Sequence, residues 1–187
     1  MHDLQPITAL GGLETRIDKF ERIIITENDD LALASVAARK GYENDCRDKI
    51  KKILGDIPKP GQATLDNTEV GFWISPDQWM IKAPKSTHEL LANNLKSFFL
   101  NTASITEQSG AWVCFDLTGS GVSEVMERLC AAPIRKMEVG EARRTTIHQL
   151  SCFVLCLKYQ THIRIFGPRA SAATLHHAFI IAAKSCA

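Results

Sequence analysis

One short stretch of this chain, F-W-I-S-P-D-Q-W-M-I at 72–81, carries residue types suited to holding a flat ligand. Trp73 and Trp79 flank Pro76, Asp77 and Gln78, with no His, Cys or Glu beside them. Two indoles around a proline could clamp an aromatic ring, or they could anchor a hairpin in a core. Three other groupings invite chemistry. His148, Cys152 and Cys156 recur every fourth residue, which on a helix would place them on one face as metal ligands. Thr145, Thr146, Ile147, Phe153 and Val154 favour a strand instead. On a strand His148 and Cys156 would lie about 26 Å apart, too far for one zinc ion. Thr118-Gly119-Ser120-Gly121 could cradle a phosphate between a strand and a helix, but a dinucleotide fingerprint needs glycine where Glu124 stands. Arg143, Arg144 and Arg169 suit solvent or a salt bridge to a partner chain.

Other signals point away from catalysis. His176 and His177 are neighbours on an expected helix and face different ways. No G-x-S-x-G nucleophile turn is present. The six cysteines form no Cys-x-x-Cys pair and read as small buried side chains in a reducing compartment. The expectation is therefore a chain with no catalytic, cofactor-binding or metal residues of its own.

The elements that must position these residues follow from pattern and punctuation. Glu21–Thr26 is β-rich. Asp29 and Asp30 offer N-caps for a helix over Leu31–Arg39, and Gly41 offers its stop. Cys46, Ile50, Ile53 and Leu54 form a helical stripe over 44–54. Pro58, Pro60 and Gly61 then impose a loop. Residues 70–74 and 78–83 are expected as a hairpin with a type I turn at Pro76-Asp77, which sets Ile74 opposite Trp79. Ser86 and Glu89 form a capping-box pattern before a helix carrying Leu91, Leu95, Phe98 and Phe99. Residues 112–117 read as a strand, and Val122, Val125, Met126, Leu129 and Cys130 as the core stripe of a helix ended by Pro133. Residues 145–157 read as one strand, 162–166 as its neighbour and 175–183 as the last helix.

A weak duplication organises these elements. Sliding the chain by 84 residues (168 − 84) sets Pro84 on Pro168, Ile81 on Ile165, Lys85 on Arg169 and Leu91 on Leu175. Each half, about 21–100 and 111–183, then reads β-α-loop-β-β-α, with residues 1–20 as an extended arm. Halves this small are expected to share one core. The fold class is α+β, with duplicated β-α-β-β-α halves and largely antiparallel sheets. The chain has 187 residues, 45% of them apolar and 23% charged, with net charge +1. That balance suggests neither nucleic acid nor an anionic membrane as a partner. The first twenty residues lack a signal-like apolar run, and no stretch approaches the ~20 residues of a membrane span. The cytoplasm is the expected compartment.

These residues resemble the gamma subunit of heterotetrameric sarcosine oxidase. The resemblance rests on Leu33–Arg39 with Gly41, on Pro58-x-Pro60-Gly61, and above all on Trp73-x-x-Pro76-Asp77-Gln78-Trp79. Asp116-Leu-Thr-x-x-x-Val122, Val139-Gly140, Arg144-Thr145 and Arg169-Ala-Ser-Ala extend it, so that it covers about residues 30–183. Ser75 stands where the family usually has glycine, and the closing section lacks the usual aromatic ending. The resemblance implies a fold related to the folate-binding domains of the glycine-cleavage T protein. It also implies a non-catalytic assembly role in a complex that oxidatively demethylates sarcosine to glycine. FAD, FMN, NAD and tetrahydrofolate would sit on partner subunits. The alpha, beta and delta subunits are the implied partners, with alpha in most direct contact. Trp73, Pro76, Asp77, Gln78, Trp79, Arg144 and Arg169 are the motif residues for such a contact, and the chain made alone could self-associate. The rival expectation is a stand-alone folate-binding or one-carbon transfer protein that uses Asp77 or Asp116 as its carboxylate. Against it, the Lys-Gly-Cys-Tyr-x-Gly-Gln type segment of one related folate-binding family is missing.

Overall fold

The computed structural model describes residues 5–186. In chain order the elements are β1 (Ile17–Lys19), β2 (Ile24–Asn28), β3 (Ala32–Ala38), α1 (Glu43–Leu54), β4 (Ala63–Thr64), β5 (Val70–Ser75), β6 (Gln78–Ala83), α2 (Lys85–His88) and α3 (Leu91–Phe99). They continue with β7 (Ala103–Glu107), β8 (Trp112–Thr118), α4 (Val122–Glu127), β9 (Ala142–Ile147), β10 (Leu150–Lys158), β11 (His162–Pro168) and α5 (Ala172–Ser185). One sheet runs β1-β2-β8-β11-β10-β9 and the other β4-β5-β6-β3-β7. The ladders are antiparallel, as expected for this α+β class.

The chain forms two compact units. The first takes described residues up to Asp29, Ala111–Val139 and those from Arg143 onward; the second takes Asp30–Gly110 with Gly140–Ala142. In the first unit Phe115, Leu117, Met126, Ile163, Ile165, Leu175 and Phe179 join one buried cluster. In the second, Val36, Ile50, Trp79, Ile81, Leu95 and Phe99 do so. Each sheet also buries residues on its other face, Leu33, Phe72 and Met80 in one and Cys114, Leu155 and Phe166 in the other. Residues 1–4 of the expected N-terminal arm lie outside the described residues, and its far end forms β1.

Several expectations need correction. Residues 32–38 are a strand, not a helix. Ala32, Ala34 and Val36 line the clustered face while Leu33 is buried on the other, so pairing with β6 and β7 overrides the helix propensity of alanine. Asp30 caps no local helix; its carboxylate accepts the Ser86 backbone N–H (2.7 Å) and hydroxyl (3.2 Å) at the start of α2. Those bonds hold the Asp30 carboxyl below its ordinary range. Ser86 is thereby engaged outside the expected capping box, and Phe98 turns outward while Leu91, Leu95 and Phe99 are buried. The single strand expected over 145–157 is a hairpin, because His148 and Gln149 take φ of 46° and 67°. Two consecutive left-handed residues make the tight turn that matches strand twist.

The duplication holds at the level of paired strands. Trp79 of β6 pairs with Val36 of β3, and its aligned counterpart Ile163 of β11 pairs with Leu117 of β8. Thus β3-α1-β4-β5-β6-α3 matches β8-α4-β9-β10-β11-α5. The equivalent of β8 is β3, not the Glu21–Thr26 run. The remaining strands complete the symmetry crosswise. Thr26 of β2 pairs with Asp116, and Thr106 of β7 pairs with Ser35. These two strands share a tripeptide, Ile25-Thr26-Glu27 and Ile105-Thr106-Glu107.

Candidate functional site

The tryptophan hairpin is built into the second unit. Trp79 is 2% exposed, and its indole N–H donates to the Pro58 carbonyl at 3.0 Å. The Pro-rich loop thus satisfies the one polar atom that burying an indole leaves. Trp73, directly opposite Trp79, is half-buried against the same cluster. Ile74 falls in the register shift between Trp73 and Ser75, so it is Trp73, rather than Ile74, that faces Trp79. Asp77 has φ of 54°, which a type I turn does not allow and which aspartate tolerates better than most residues. Its carboxylate accepts Arg47 Nε at 2.7 Å, and its carbonyl accepts the Ala38 N–H at 3.0 Å. Gln78 is exposed and pairs with Ser75 and Ala37.

The other motif residues are scattered over the first unit. Arg144 donates to the Ser151 hydroxyl (3.1 Å) and lies 5.6 Å from the Phe153 ring. Arg169 donates to the Ile7 carbonyl at 3.2 Å. Cys152 and Cys156 point into the core, whereas His148 is in the hairpin turn. Burial pushes the Cys152 thiol up to about 11; burial and the nearby Asp77 do the same for Cys46. Both are neutral thiols at physiological pH. The Thr118–Gly121 turn is filled by protein: a Cβ on Gly119 would sit 2.3 Å from the Arg22 carbonyl oxygen, and Arg22 clasps Glu124 at 2.8 and 2.9 Å.

The most concentrated charge is a cluster that sequence reasoning finds only in part. Asp116 on β8 is the expected candidate carboxylate; Arg164 and His162 on β11 and Asn28 on β2 carry no motif of their own. Asp116 Oδ1 accepts Arg164 Nε (2.9 Å) and His162 Nε2 (3.0 Å). Its Oδ2 accepts Arg164 Nη2 (2.8 Å) and Asn28 Nδ2 (3.0 Å). Burial alone would raise the Asp116 pKa, but the bonds from His162, Arg164 and Asn28 outweigh it and hold the carboxyl well below the usual carboxylate range. Burial lowers the Arg164 pKa, yet Asp116 more than reverses it. A carboxylate so occupied is a poor general base and a good orienter of its neighbours. The available sequence signal is His162 and Arg164 alternating with Ile163 and Ile165, a polar face on a central strand.

A second cluster ties the start of the chain to α5. His176, buried beside Phe115, bonds Asp18 Oδ2 through Nε2 at 2.7 Å, and Arg16 pairs with the same carboxylate at 3.0 Å. Among the described residues no group of His, Cys, Asp and Glu side chains could hold a metal ion. Nor is any helix of the described residues long and apolar enough to cross a membrane.

No protein-family model matches the sequence, and no curated protein matches it significantly. Among solved structures, the chain is similar to the heterotetrameric sarcosine oxidase from Corynebacterium sp. U-96 in complex with pyrrole 2-carboxylate. The TM-score is 0.78 at 16% identity, over 91% of this chain and 88% of that chain. The fold is that of a sarcosine oxidase chain. It is also similar to glycine cleavage system aminomethyltransferase T from Bartonella henselae, with a TM-score of 0.62 at 14% identity. That match covers 82% of this chain and 44% of the enzyme, so the chain spans under half of the enzyme's length. Both likenesses agree with the fold expected from the sarcosine oxidase resemblance.

Proposed function

We propose that this chain is a non-catalytic assembly subunit of a heterotetrameric sarcosine oxidase, acting in the cytoplasm. The observation that carries the reading is the near end-to-end match to a sarcosine oxidase chain, 91% of one and 88% of the other. The state of the candidate side chains supports it. Asp77 and Asp116 are both held in ion pairs, and Trp79 is sealed in the second unit. The chemistry, oxidative demethylation of sarcosine to glycine, and its cofactors FAD, FMN, NAD and tetrahydrofolate would belong to the alpha and beta subunits. Alpha is the direct contact in this reading. The test is co-expression of the four subunits with and without this chain, followed by purification and sarcosine-dependent peroxide production. The reading expects the isolated chain to be inert and flavin-free, and its omission to abolish assembly of an active complex. Normal assembly and turnover without it would sink the reading.

The likeness to the aminomethyltransferase favours a second reading, a folate-binding or one-carbon transfer protein. It predicts a change in tryptophan fluorescence when tetrahydrofolate is added to the isolated chain. An unchanged spectrum, with no folate retained on dialysis, removes it.

A further inference from the structure

The sheet of the first unit has one face on its buried cluster and one turned away from it, and charge is unevenly divided between them. Cross-strand partners point to the same side of a sheet. On the face turned away, Arg164 pairs with Asp116 on one side and Leu155 on the other, and His162 pairs with Thr118 and Lys158. Lys19 joins this face through Ile24, which is also paired with Thr118. Arg144 joins it beside the Phe153 ring, at 5.6 Å. Asp18 and Glu27, the other acids of these strands, lie on the opposite face, paired with Ile25 and Phe115. The strands therefore set Arg144, Lys19, Lys158 and Arg164 against the lone carboxylate of Asp116.

Arg164 is only half used. A guanidinium presents parallel N–H groups along a side edge, Nε with Nη2, and again along an end edge, Nη1 with Nη2. Asp116 takes the side edge, at 2.9 Å from Nε and 2.8 Å from Nη2. The end edge has no partner among the described residues. It is not sealed either. Among the described residues the sealed side-chain polar atom without a partner is Ser123 Oγ, and the Arg164 side chain keeps 15% exposure. The donors are thus oriented by Asp116, set beside the buried Leu155 and Phe166, and open at one end. In such surroundings a hydrogen bond to a charged donor is stronger than in bulk water. The fold does not demand this arrangement, because the aligned position in the second unit is Met80, opposite Ser35.

We infer that the Nη1–Nη2 edge of Arg164 is a binding site for a small free carboxylate anion, held by two parallel N–H···O bonds on a face of surplus positive charge. A planar group with two oxygens matches that edge, whereas a spherical anion such as chloride meets it at one point. Lys158 and Lys19 draw anions toward the face, an attraction that salt screens. Asp116 neutralises one cation of the face and fixes the guanidinium plane, so the anion meets a donor pair that needs no reorganisation. Binding requires this chain alone and no other subunit.

Formate is the probe, titrated into the full-length chain at constant ionic strength with chloride as the balancing salt. Isotope-edited NMR of the arginine side chains reads the site directly. The Arg164 guanidinium signals are expected to move and saturate with formate, and the thermal midpoint to rise relative to chloride alone. R164K keeps the charge and loses the fork, and is expected to weaken binding at least about tenfold. A lone change at Arg164 also strands Asp116, so D116S/R164M, which installs the neutral pair of the second unit, is the second variant. It is expected to fold and to lose the formate response. Arg164 signals that do not move, or that move without saturating, overturn the inference, including the case in which water or another protein's carboxylate fills the edge. So does an equal response to chloride, or a formate response that survives in D116S/R164M.

Discussion

The two units place different chemistry at the same point of the same fold. In the first, Asp116 of β8 faces Arg164 of β11, and Asn28 of the neighbouring strand bonds the carboxylate. In the second, the equivalent pair is Ser35 of β3 and Met80 of β6, and Gln108, the counterpart of Asn28, donates to the Ser35 hydroxyl at 3.3 Å. An amide, a strand residue and a cross-strand partner recur, once charged and once neutral. The fold therefore does not require an ion pair there. Desolvating two charges seldom stabilises more than a well-packed neutral pair. What the first unit gains from its charges is a fixed polar cluster on the central strands β8 and β11, which His162 joins through Asp116.

The largest expected effect breaks that comparison. Asp116→Ser alone leaves Arg164, with a side chain 15% exposed, without its carboxylate, and is expected to cost about 3–5 kcal/mol in urea denaturation. The double change D116S/R164M copies the second unit and is expected to recover most of that loss. A double variant as unstable as the single one would show that the two positions are not interchangeable.

The strand-to-helix turns offer the next contrast. Gly119 has φ of 121° and the Arg22 carbonyl against it, whereas Gly41 has φ of 86° and open space within 4 Å of where a Cβ would stand. Gly41→Ala should cost only the left-handed penalty of about 1 kcal/mol. Gly119→Ala should cost more, about 2 kcal/mol or above, because backbone must shift. Equal losses on thermal melting would mean that the turn yields without strain.

Acid sharpens the same difference. The folded pKa of Asp116 lies below the unfolded value of about 4, so its stabilisation is full above that pH and is lost as pH falls toward the folded value. D116S/R164M lacks this contribution, so its stability should fall less steeply than that of the wild type as pH drops below about 4. Parallel pH profiles would remove Asp116 from the acid response. The smallest effect belongs to the second unit's own ion pair. Arg47 is 43% exposed, so Arg47→Met should cost no more than about 1 kcal/mol by urea titration.

Much of the fold is legible in the sequence. α1, the β5–β6 hairpin, β8, the last helix and the Val122, Val125 and Met126 part of the α4 stripe follow from periodicity and turn residues, whereas α4 ends at Glu127, before the expected Leu129, Cys130 and Pro133. Two failures have a common cause, the lack of a local signal. Residues 32–38 are rich in small apolar residues and buried on both faces, so they lose the alternation that marks a half-buried strand. The His148-Gln149 turn uses neither of the Asn-Gly or Asp-Gly signals of a two-residue hairpin. The repeat is legible where prolines align, but its first strand is β3 rather than the expected Glu21–Thr26 run. The shared Ile-Thr-Glu escapes the 84-residue alignment because it follows a different offset.

The candidate site is less legible than the fold. Asp116 and Arg164 are 48 residues apart and Asn28 lies 88 residues from Asp116, so only sheet pairing brings them together. The sequence by itself determined the α+β class and the duplicated order of elements, because periodicity and turn chemistry act over a few residues. The tertiary structure decided that an alanine-rich run is a strand, that β2 and β7 exchange places between the two repeats, and that Asp116 is ionised and saturated. Those outcomes depend on long-range hydrogen-bond register and burial, which no local pattern encodes.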